Sequence, residues 1–214
     1  MARRESRRGR QAEAERNDRL VLEAARTVFA EQGAGAPMSA LADLAGVGIA
    51  TFYRRYGSKE ELLQRLCLLS MEESIASARE AIAAEGDGWS AVAGFVRRCV
   101  DARVGSLGSA AGTIAVTAEM TAASELGRRL MEELVGRARA DGTVRTDLTA
   151  LDVSYLIEQF SRSPRGTEER ANVSGRLLAL ALDGLRSGAR REDLPGTPPD
   201  WETYSGRWYH ADID

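Results

Sequence analysis

Apolar residues recur three and four positions apart along most of this chain, which is the spacing of an amphipathic helix. Long alternating runs of β-branched residues, which would predict strands, are missing. The sequence therefore predicts an all-α fold. Three short helices and then a long one are expected at the front, over about residues 17–32, 40–45, 48–56 and 59–84. Longer, more apolar helices are expected behind them, near residues 89–104, 109–119, 123–140, 150–161 and 168–187.

A tight turn separates the second and third predicted helices. Ser39 is the expected N-cap of the second helix, and Val47 is the apolar residue that fills the turn before Gly48 starts the third. Ser58 with Glu61 has the pattern of a capping box at the start of the fourth helix. Two short helices joined by a glycine-containing turn describe a helix-turn-helix, whose second helix enters the major groove of DNA.

The residue order of the third helix fits this placement. Gly48 lets the helix start approach DNA closely, and its free amides favour a phosphate. Ile49 and Ala50 face base edges and can contact thymine methyl groups. Hydroxyl and cationic side chains that can contact phosphate follow, and the two arginines can also pair with guanine: Thr51, Tyr53, Arg54, Arg55 and, on the next helix, Lys59. An ordinary surface helix explains any one of these residues, but the ordered set favours DNA.

Charge is distributed unevenly along the chain. The net charge of −3 by itself argues against nucleic acid, but residues 1–66 hold 12 Arg or Lys against 9 Asp or Glu, while the rest holds 17 against 23. A local basic face matters more for phosphate binding than the sum over the chain. Residues 1–16 form a polar arm in which five of the first ten residues are arginine. Two interpretations of this arm stay open, namely insertion into a minor groove and a solvated tail.

The run MSALADLAGVGIATFYRRYGSKEELL, residues 38–63, resembles the DNA-binding signature of tetracycline-repressor-type (TetR) transcriptional regulators. The resemblance implies a helix-turn-helix DNA-binding domain, residues 17–65, and a helical effector-binding and dimerisation domain, residues 66–188. By position it assigns DNA-contacting roles to Ser39, Gly48, Ile49, Ala50, Thr51, Tyr53, Arg54 and Lys59. It also implies a ligand-responsive regulator, expected to be a repressor, that a small effector releases from a palindromic operator.

The last long helix is apolar over most of its girth, so it must be covered on two sides. We expect it to form a homodimer interface through Val173, Leu177, Leu178, Leu180, Leu182 and Leu185. The resemblance implies that this helix and the one near 150–161 pair with their copies as a four-helix bundle. A central helix within a single chain is the alternative.

An effector pocket, implied by the same resemblance, is expected among the middle helices. Its candidate residues are bulky apolar groups with a few polar ones: Met71, Trp89, Phe95, Cys99, Thr117, Met120, Tyr155, Gln159 and Phe160. Tyr155 and Gln159, four residues apart on one helical face, are the most pocket-like pair, although plain core packing explains each residue taken alone. Few charges interrupt these faces, which favours an apolar or aromatic effector.

Residues 189–214 form an aromatic-rich tail that holds two of the three tryptophans. We expect Trp201, Tyr204, Trp208 and Tyr209 to pack on the body or on a partner subunit, and a loosely held tail is the alternative.

Enzymatic function is not expected. His210 is the only histidine, no metal-ligand spacing or phosphate-binding glycine loop occurs, and so no cofactor or metal is predicted. Cys67 and Cys99 are isolated within helical patterns and are expected to be buried reduced thiols. No apolar run is long enough to span a membrane, and the expected location is the bacterial cytoplasm. The alternative function is a helical protein-binding adaptor without specific DNA binding.

Overall fold

A computed structural model describes residues 20–29, 31–162, 168–188 and 193–209, with only the backbone described at residues 51, 109 and 169. The arginine-rich arm, the hydroxyl of Thr51 and the imidazole of His210 lie outside this description.

The predicted all-α architecture is confirmed. Helix α1 comprises residues 20–29 and 31–32. The helices that follow it in the described chain are α2 (Met38–Ala45), α3 (Ile49–Tyr56), α4 (Lys59–Ala83), α5 (Gly88–Asp101), α6 (Ala118–Ala140), α7 (Ala150–Ser161), α8 (Glu168–Gly184) and α9 (Trp201–Tyr209). A 3-10 helix, Val104–Ala110, lies between α5 and α6. In the part of the chain that the structure describes, β pairing is limited to one antiparallel bridge between Val144 and Arg186.

The boundaries of the front helices largely follow the predicted caps. Gly33 ends α1 with a positive φ of 74°, as a left-handed C-cap does. The Ser58 side chain accepts a hydrogen bond from the Glu61 amide at 3.0 Å and begins α4. The prediction for Ser39 is wrong, because α2 already begins at Met38 and its N-cap position is Pro37, without a side-chain cap bond. Proline presets the φ of that position, and the helix starts two residues earlier than expected.

The predicted helix over 109–119 is also wrong. The chain forms the 3-10 helix there, then a turn, and α6 begins only at Ala118. Thr117 is its N-cap and accepts a hydrogen bond from the Met120 amide at 3.2 Å. The 3-10 helix packs tightly on α7, since a Cβ at Gly105 would lie 2.5 Å from the Glu158 Cα. Glycines permit this close approach and weaken an α-helix at the same positions.

The end of α8 also differs from the prediction, because a distant segment binds the chain that follows the helix. The helix ends at Gly184 rather than near residue 187. The Arg145 amide donates to the Leu185 carbonyl at 2.9 Å, and the Ser187 amide donates to the Thr143 carbonyl at 3.1 Å. These bonds hold the chain after α8 in an extended path beside residues 143–145. A contact distant in sequence therefore decides where the helix stops.

Two hydrophobic clusters form the core, and α4 takes part in both. The front cluster joins α1, α2 and Phe52 of α3 to the first half of α4, and it also contains Leu107, Ile114 and Met120 from beyond residue 66. The rear cluster joins the second half of α4 to α5, α6 and α7. Helix α4 has 25 residues and is therefore ~37 Å long. The front helices consequently share packed side chains with the segment between α5 and α6.

A polar contact adds to this connection between the front and the rear. The Arg26 guanidinium of α1 donates to both carboxylate oxygens of Glu73 in α4, at 3.0 and 3.2 Å. The same side chain donates to the carbonyl of Ala102, at the end of α5, at 2.8 Å. One arginine therefore joins α1 to two helices of the rear.

The aromatic tail packs on the body of its own chain through α9. Tyr204 makes an edge contact with Tyr155 of α7, with ring centroids 5.2 Å apart. Trp208 packs against the front cluster and Trp201 against the rear cluster. Of the two interpretations of the tail, the packed one agrees with the structure over residues 201–209.

Among the described helices, none combines the length and the apolar character that a bilayer crossing requires.

Close packing between α5 and α6 provides a test of the fold. A Cβ at Gly88 would lie 2.3 Å from the Ala138 Cα, a backbone atom that cannot easily give way. We expect Gly88→Ala to lower the free energy of unfolding by about 1–3 kcal/mol. The matched control is Gly136→Ala, where an added Cβ meets no atom within 4 Å and the gain in helix propensity stabilises by about 0.5–1 kcal/mol. Urea unfolding followed by circular dichroism measures both, and equal effects would contradict the packing described.

Candidate nucleic-acid interface and ligand cavity

The turn between α2 and α3 is built from a glycine that the backbone requires. Gly46 has φ 65° and ψ 31°, the left-handed conformation that favours glycine. The Val47 amide then donates to the Ala42 carbonyl at 3.1 Å, which closes the end of α2. Val47 packs its side chain against the front cluster. The turn thereby fixes the direction in which α3 leaves the core.

Helix α3 buries one side and exposes the other. Phe52 is 1% exposed and anchors the helix in the front cluster, with Tyr56 packed beside it at a ring centroid distance of 6.4 Å. Ile49 and Tyr53 are 44% and 48% exposed, although both are large hydrophobic residues. The two residues are one helical turn apart, so they lie side by side, and adjacent exposed apolar groups can mark an interaction surface. Three further residues of α3 that are predicted to contact DNA are exposed as well: Ala50, Arg54 and Arg55.

Gly48 contrasts with Gly46. It is the N-cap of α3 in ordinary extended conformation, with φ −69° and ψ 142°, and a Cβ there would meet no atom within 4 Å. The fold therefore does not require glycine at position 48. The missing side chain instead leaves room for a surface that approaches closely from outside, as DNA would.

Lys59 and Ser39 flank this surface. Lys59 is the first residue of α4, is half-buried, and has its ammonium 5.9 Å from the centroid of the Phe29 ring. This distance is at the outer limit of a cation–π contact. Ser39 is exposed on the first turn of α2. The predicted DNA-contacting residues with described side chains are thus exposed or half-buried on α2, α3 and the start of α4.

The predicted dimer residues divide into two groups. Val173, Leu177 and Leu180 are 52%, 52% and 68% exposed, at positions that share one face of α8. Leu178 and Leu182 are instead buried in the rear cluster, and Leu185 packs partly against it. These three residues hold α8 to its own chain. The surface open to a partner subunit therefore consists of the first three.

A cavity of about 190 Å³ lies between the two clusters. Its wall is formed by α4, the 3-10 helix, α6, α7 and α9. Of the predicted pocket residues it contains Met71 and Met120. Phe95 and Cys99 are fully buried in the rear cluster, and the Trp89 indole donates to the Leu182 carbonyl at 3.1 Å, so these residues serve packing. Thr117, Tyr155, Gln159 and Phe160 lie on the same helices or loops as wall residues but outside the wall itself.

Sequence reasoning missed the polar side of this cavity. Glu158 of α7 is 6% exposed and lines the wall, where Arg207 of α9 donates to both its carboxylate oxygens at 3.2 and 2.6 Å. Arg162 pairs with the same carboxylate. A signal did exist, because Glu158 follows Leu151 and Ser154 at helical spacing on the buried stripe of α7. An acid on such a stripe requires a partner.

The cavity wall also contains a buried thiol. Burial raises the pKa of Cys67 to about 12, and burial likewise raises the pKa of Cys99 in the rear cluster to about 12. Both thiols are free, as expected. In the described part of the chain, His, Cys, Asp and Glu side chains form no group of three or more that could hold a metal ion.

Comparison with known proteins adds independent information. Residues 21–66 match the family model of bacterial regulatory proteins of the tetR family, and residues 89–187 match the C-terminal domain of SbtR-like transcriptional regulators. No curated protein sequence matches significantly.

Solved structures are similar over most of their length. A TetR transcriptional regulator, SCO0520 from Streptomyces coelicolor, is 27% identical with a TM-score of 0.55, over 81% of this chain and 99% of that chain. A TetR regulatory protein from Mycobacterium vanbaalenii is 29% identical with a TM-score of 0.55, over 82% and 98% of the two chains. The ketosteroid transcriptional regulator KstR2 of Mycobacterium tuberculosis, at 21% identity and a TM-score of 0.58 over 81% and 96%, shares the fold.

The two thiols yield a test that depends on pH. Unfolded thiols ionise near pH 8.5, whereas the folded ones ionise near 12. Between these values the unfolded chain binds fewer protons, so the free energy of unfolding falls as pH rises above about 8.5. At pH 8, we expect a thiol reagent to label the native protein on the order of a thousandfold more slowly than the unfolded chain, because thiolate is the reactive form. Rapid labelling of native Cys67, measured against a Cys67→Ala variant, would contradict its burial.

Proposed function

The chain belongs to the tetR family of bacterial transcriptional regulators and binds DNA, and from this premise we propose that it is a repressor whose homodimer is released from a palindromic operator by a small effector. We infer that it acts in the bacterial cytoplasm. The observation that carries the proposal is the division of α3 into a buried anchor, Phe52, and an exposed outer side with Ile49, Tyr53 and Arg54. A surface with this order of groups fits a major groove.

The outer side of α3 assigns different tasks to different residues. Ile49 and Ala50 lead the helix and face base edges, where apolar groups distinguish thymine by its methyl group. The Tyr53 hydroxyl and the arginine cations meet phosphates, which set affinity and register but carry no sequence information. Ser39 and Lys59 extend these phosphate contacts on either side.

A dimer supplies the second half of the recognition. One helix-turn-helix contacts too few base pairs to be selective, whereas two copies related by a twofold axis read half-sites ~34–36 Å apart. The exposed apolar side of α8 supports this assembly, because Val173, Leu177 and Leu180 lie next to one another on it. Water exposure of three such side chains is unfavourable, and a second copy covers them.

Effector binding in the cavity reaches the DNA-binding helices through the start of α4. The segment 113–117 enters the cavity wall at Val116. Within this segment, the backbone amide of Ala115 donates to the Glu60 carboxylate at 2.8 Å. The Ala115 carbonyl accepts from the side-chain amide of Gln64 at 2.9 Å. A ligand that displaces this segment moves the first turns of α4. The operator is released if the ligand prefers the displaced conformation by several kcal/mol, for example about 5.5 kcal/mol for a complete reversal of populations.

DNA binding tests the proposal first. Labelled DNA from the region upstream of the chain's own gene is titrated at two salt concentrations, and we expect sequence-specific binding that weakens steeply with salt. Tyr53→Phe should weaken binding to all DNA alike by roughly 2–12-fold for each half-site, the worth of one hydrogen bond in each protomer. Ile49→Thr should instead change which sequence is preferred, because position 49 faces the bases.

The matched control for the hydroxyl is Tyr155→Phe, on α7 and outside the front helices, which should leave DNA binding unchanged. Equal behaviour of the Tyr53 and Ile49 variants would contradict the division of tasks. Binding that ignores both sequence and salt would favour the protein-binding adaptor.

The dimer is tested separately. We expect Leu180→Arg to weaken self-association by about 3 kcal/mol or more, roughly 100-fold, because each copy then brings a charge into an apolar interface. Sedimentation equilibrium measures this change, and operator affinity should fall with it. The control is Leu194→Arg, at an apolar residue that is 41% exposed and lies outside α8. An unchanged dimer in the Leu180 variant would place the interface elsewhere.

A further inference from the structure

Helix α9 lies outside both regions that match a family model, since the second region ends at residue 187. It nevertheless forms a substantial part of the cavity wall. The residues that it contributes are Trp201, Tyr204, Ser205, Arg207, Trp208 and Tyr209. The wall also contains three methionines, Met71, Met120 and Met131. Aromatic rings and thioethers in one wall suit a flat apolar group.

The contacts that hold α9 in place concentrate on one arginine. Arg207 pairs with the buried Glu158, and its guanidinium also lies over two rings, 4.2 Å from the Tyr204 centroid and 5.6 Å from that of Tyr155. At the end of the helix the hydroxyls of Tyr209 and Thr121 lie 3.3 Å apart, within hydrogen-bond distance. The carboxylate that orients Arg207 therefore belongs to the cavity wall itself.

The charges at this end of the cavity do not cancel. Glu158 contributes one negative charge, whereas Arg162 and Arg207, both paired with it, contribute two positive charges. Arg128, also in the wall, is neutralised by Glu132 at 3.0 Å. The group carries one net positive charge, which comes from Arg162, outside the wall and with its side chain 49% exposed. Water screens part of this charge, so an anionic group is favoured modestly at this end of the cavity.

Two polar atoms of wall residues lack a hydrogen-bond partner among the described residues. The Nε of Arg207 is buried and has no hydrogen-bond partner among the described residues, and the same holds for the Oγ of Ser70. Ser70 is 4% exposed, and both residues line the cavity. A buried donor without a partner is costly, so the Arg207 side chain gains if it turns to present this N–H to an acceptor in the cavity.

We propose that α9 is an integral part of the ligand-binding site, and that Arg207 makes this site select a compact aromatic acid over a neutral or cationic compound of the same shape. The ligand's ring lies between the α9 aromatics and the methionines, and its carboxylate accepts from Arg207. The size agrees with a single substituted ring, because an apolar cavity of ~150 Å³ accommodates benzene and this cavity measures about 190 Å³. The inference rests on the proposed function for its regulatory meaning, but binding can be measured without DNA.

Three probes of matched shape test the charge preference: para-ethylbenzoate, para-ethylbenzyl alcohol and para-ethylbenzylammonium. Isothermal titration calorimetry on the full chain gives the affinity for each. We expect the acid to bind the wild-type protein most tightly and the ammonium compound most weakly. Failure of the acid to bind at millimolar concentrations, or an ammonium compound that binds best, would overturn the proposal.

Two variants separate ligand contact from a purely structural role of the Glu158–Arg207 pair. Arg207→Gln should weaken binding of the acid by at least about 10-fold, the loss of one charge-assisted hydrogen bond, and binding of the alcohol much less. Glu158→Gln should tighten binding of the acid several-fold, because it removes the negative charge from the wall and leaves Arg207 in place. Both variants break the ion pair, so a structural role alone predicts weaker binding of every probe in both. The control, Arg129→Gln, changes an exposed arginine of α6 outside the wall and should have no effect.

Operator binding by the wild-type protein without probe is measured in parallel. If no operator binds but the three probes still bind in the expected order of affinity, the regulatory proposal fails and the proposal for α9 stands. If the operator binds but the variants lose all probes alike, the proposal for α9 fails and that for the regulator stands.

Discussion

Helix α4 packs into both hydrophobic clusters, and the rest of the structure depends on this shared packing. Its first turns hold Leu62, Leu63 and Leu66 in the front cluster, and its later turns hold Ala78 and Ala81 in the rear cluster. Since a helix is stiff over this length, a displacement at one end is transmitted to the other rather than absorbed. Segment 113–117 and the Arg26–Glu73 contact attach to the same helix. Helix α4 therefore joins the front helices to the cavity wall through continuous packing.

Two features stabilise the cavity wall: close packing around glycines, and a buried carboxylate that is paired with arginines. Gly105 and Gly108 let the 3-10 helix approach α7, where any Cβ would collide with Glu158. The buried carboxylate is stable because two arginines surround it. One of these arginines arrives on α9, so the last described helix is required to complete the electrostatics of a site in the middle of the chain.

The two functional surfaces use exposure in opposite ways. On α3, Ile49 and Tyr53 stay exposed because Phe52 and Tyr56 occupy the side that packs on the core, and the exposed side is the one that we propose faces DNA. On α8, Leu177 and Leu180 stay exposed because Leu178 and Leu182 already fill the chain's own core. The second surface has three neighbouring apolar side chains, Val173, Leu177 and Leu180, and suits a copy of itself, whereas the first mixes methyl, hydroxyl and cationic groups.

The sequence by itself determined the all-α class, the helix-turn-helix and the cap at Ser58, because periodicity and capping are local properties of neighbouring residues. It also determined the outer side of α3, since Phe52 and Tyr56 mark the inner side by their spacing. Only the tertiary structure decided the 3-10 helix in place of the predicted helix 109–119, the end of α8 at Gly184 and the division of the α8 leucines. It also placed the cavity wall, bringing Glu158 and Arg207 together across 49 residues. Each of these depends on contacts between distant segments, which local spacing does not encode.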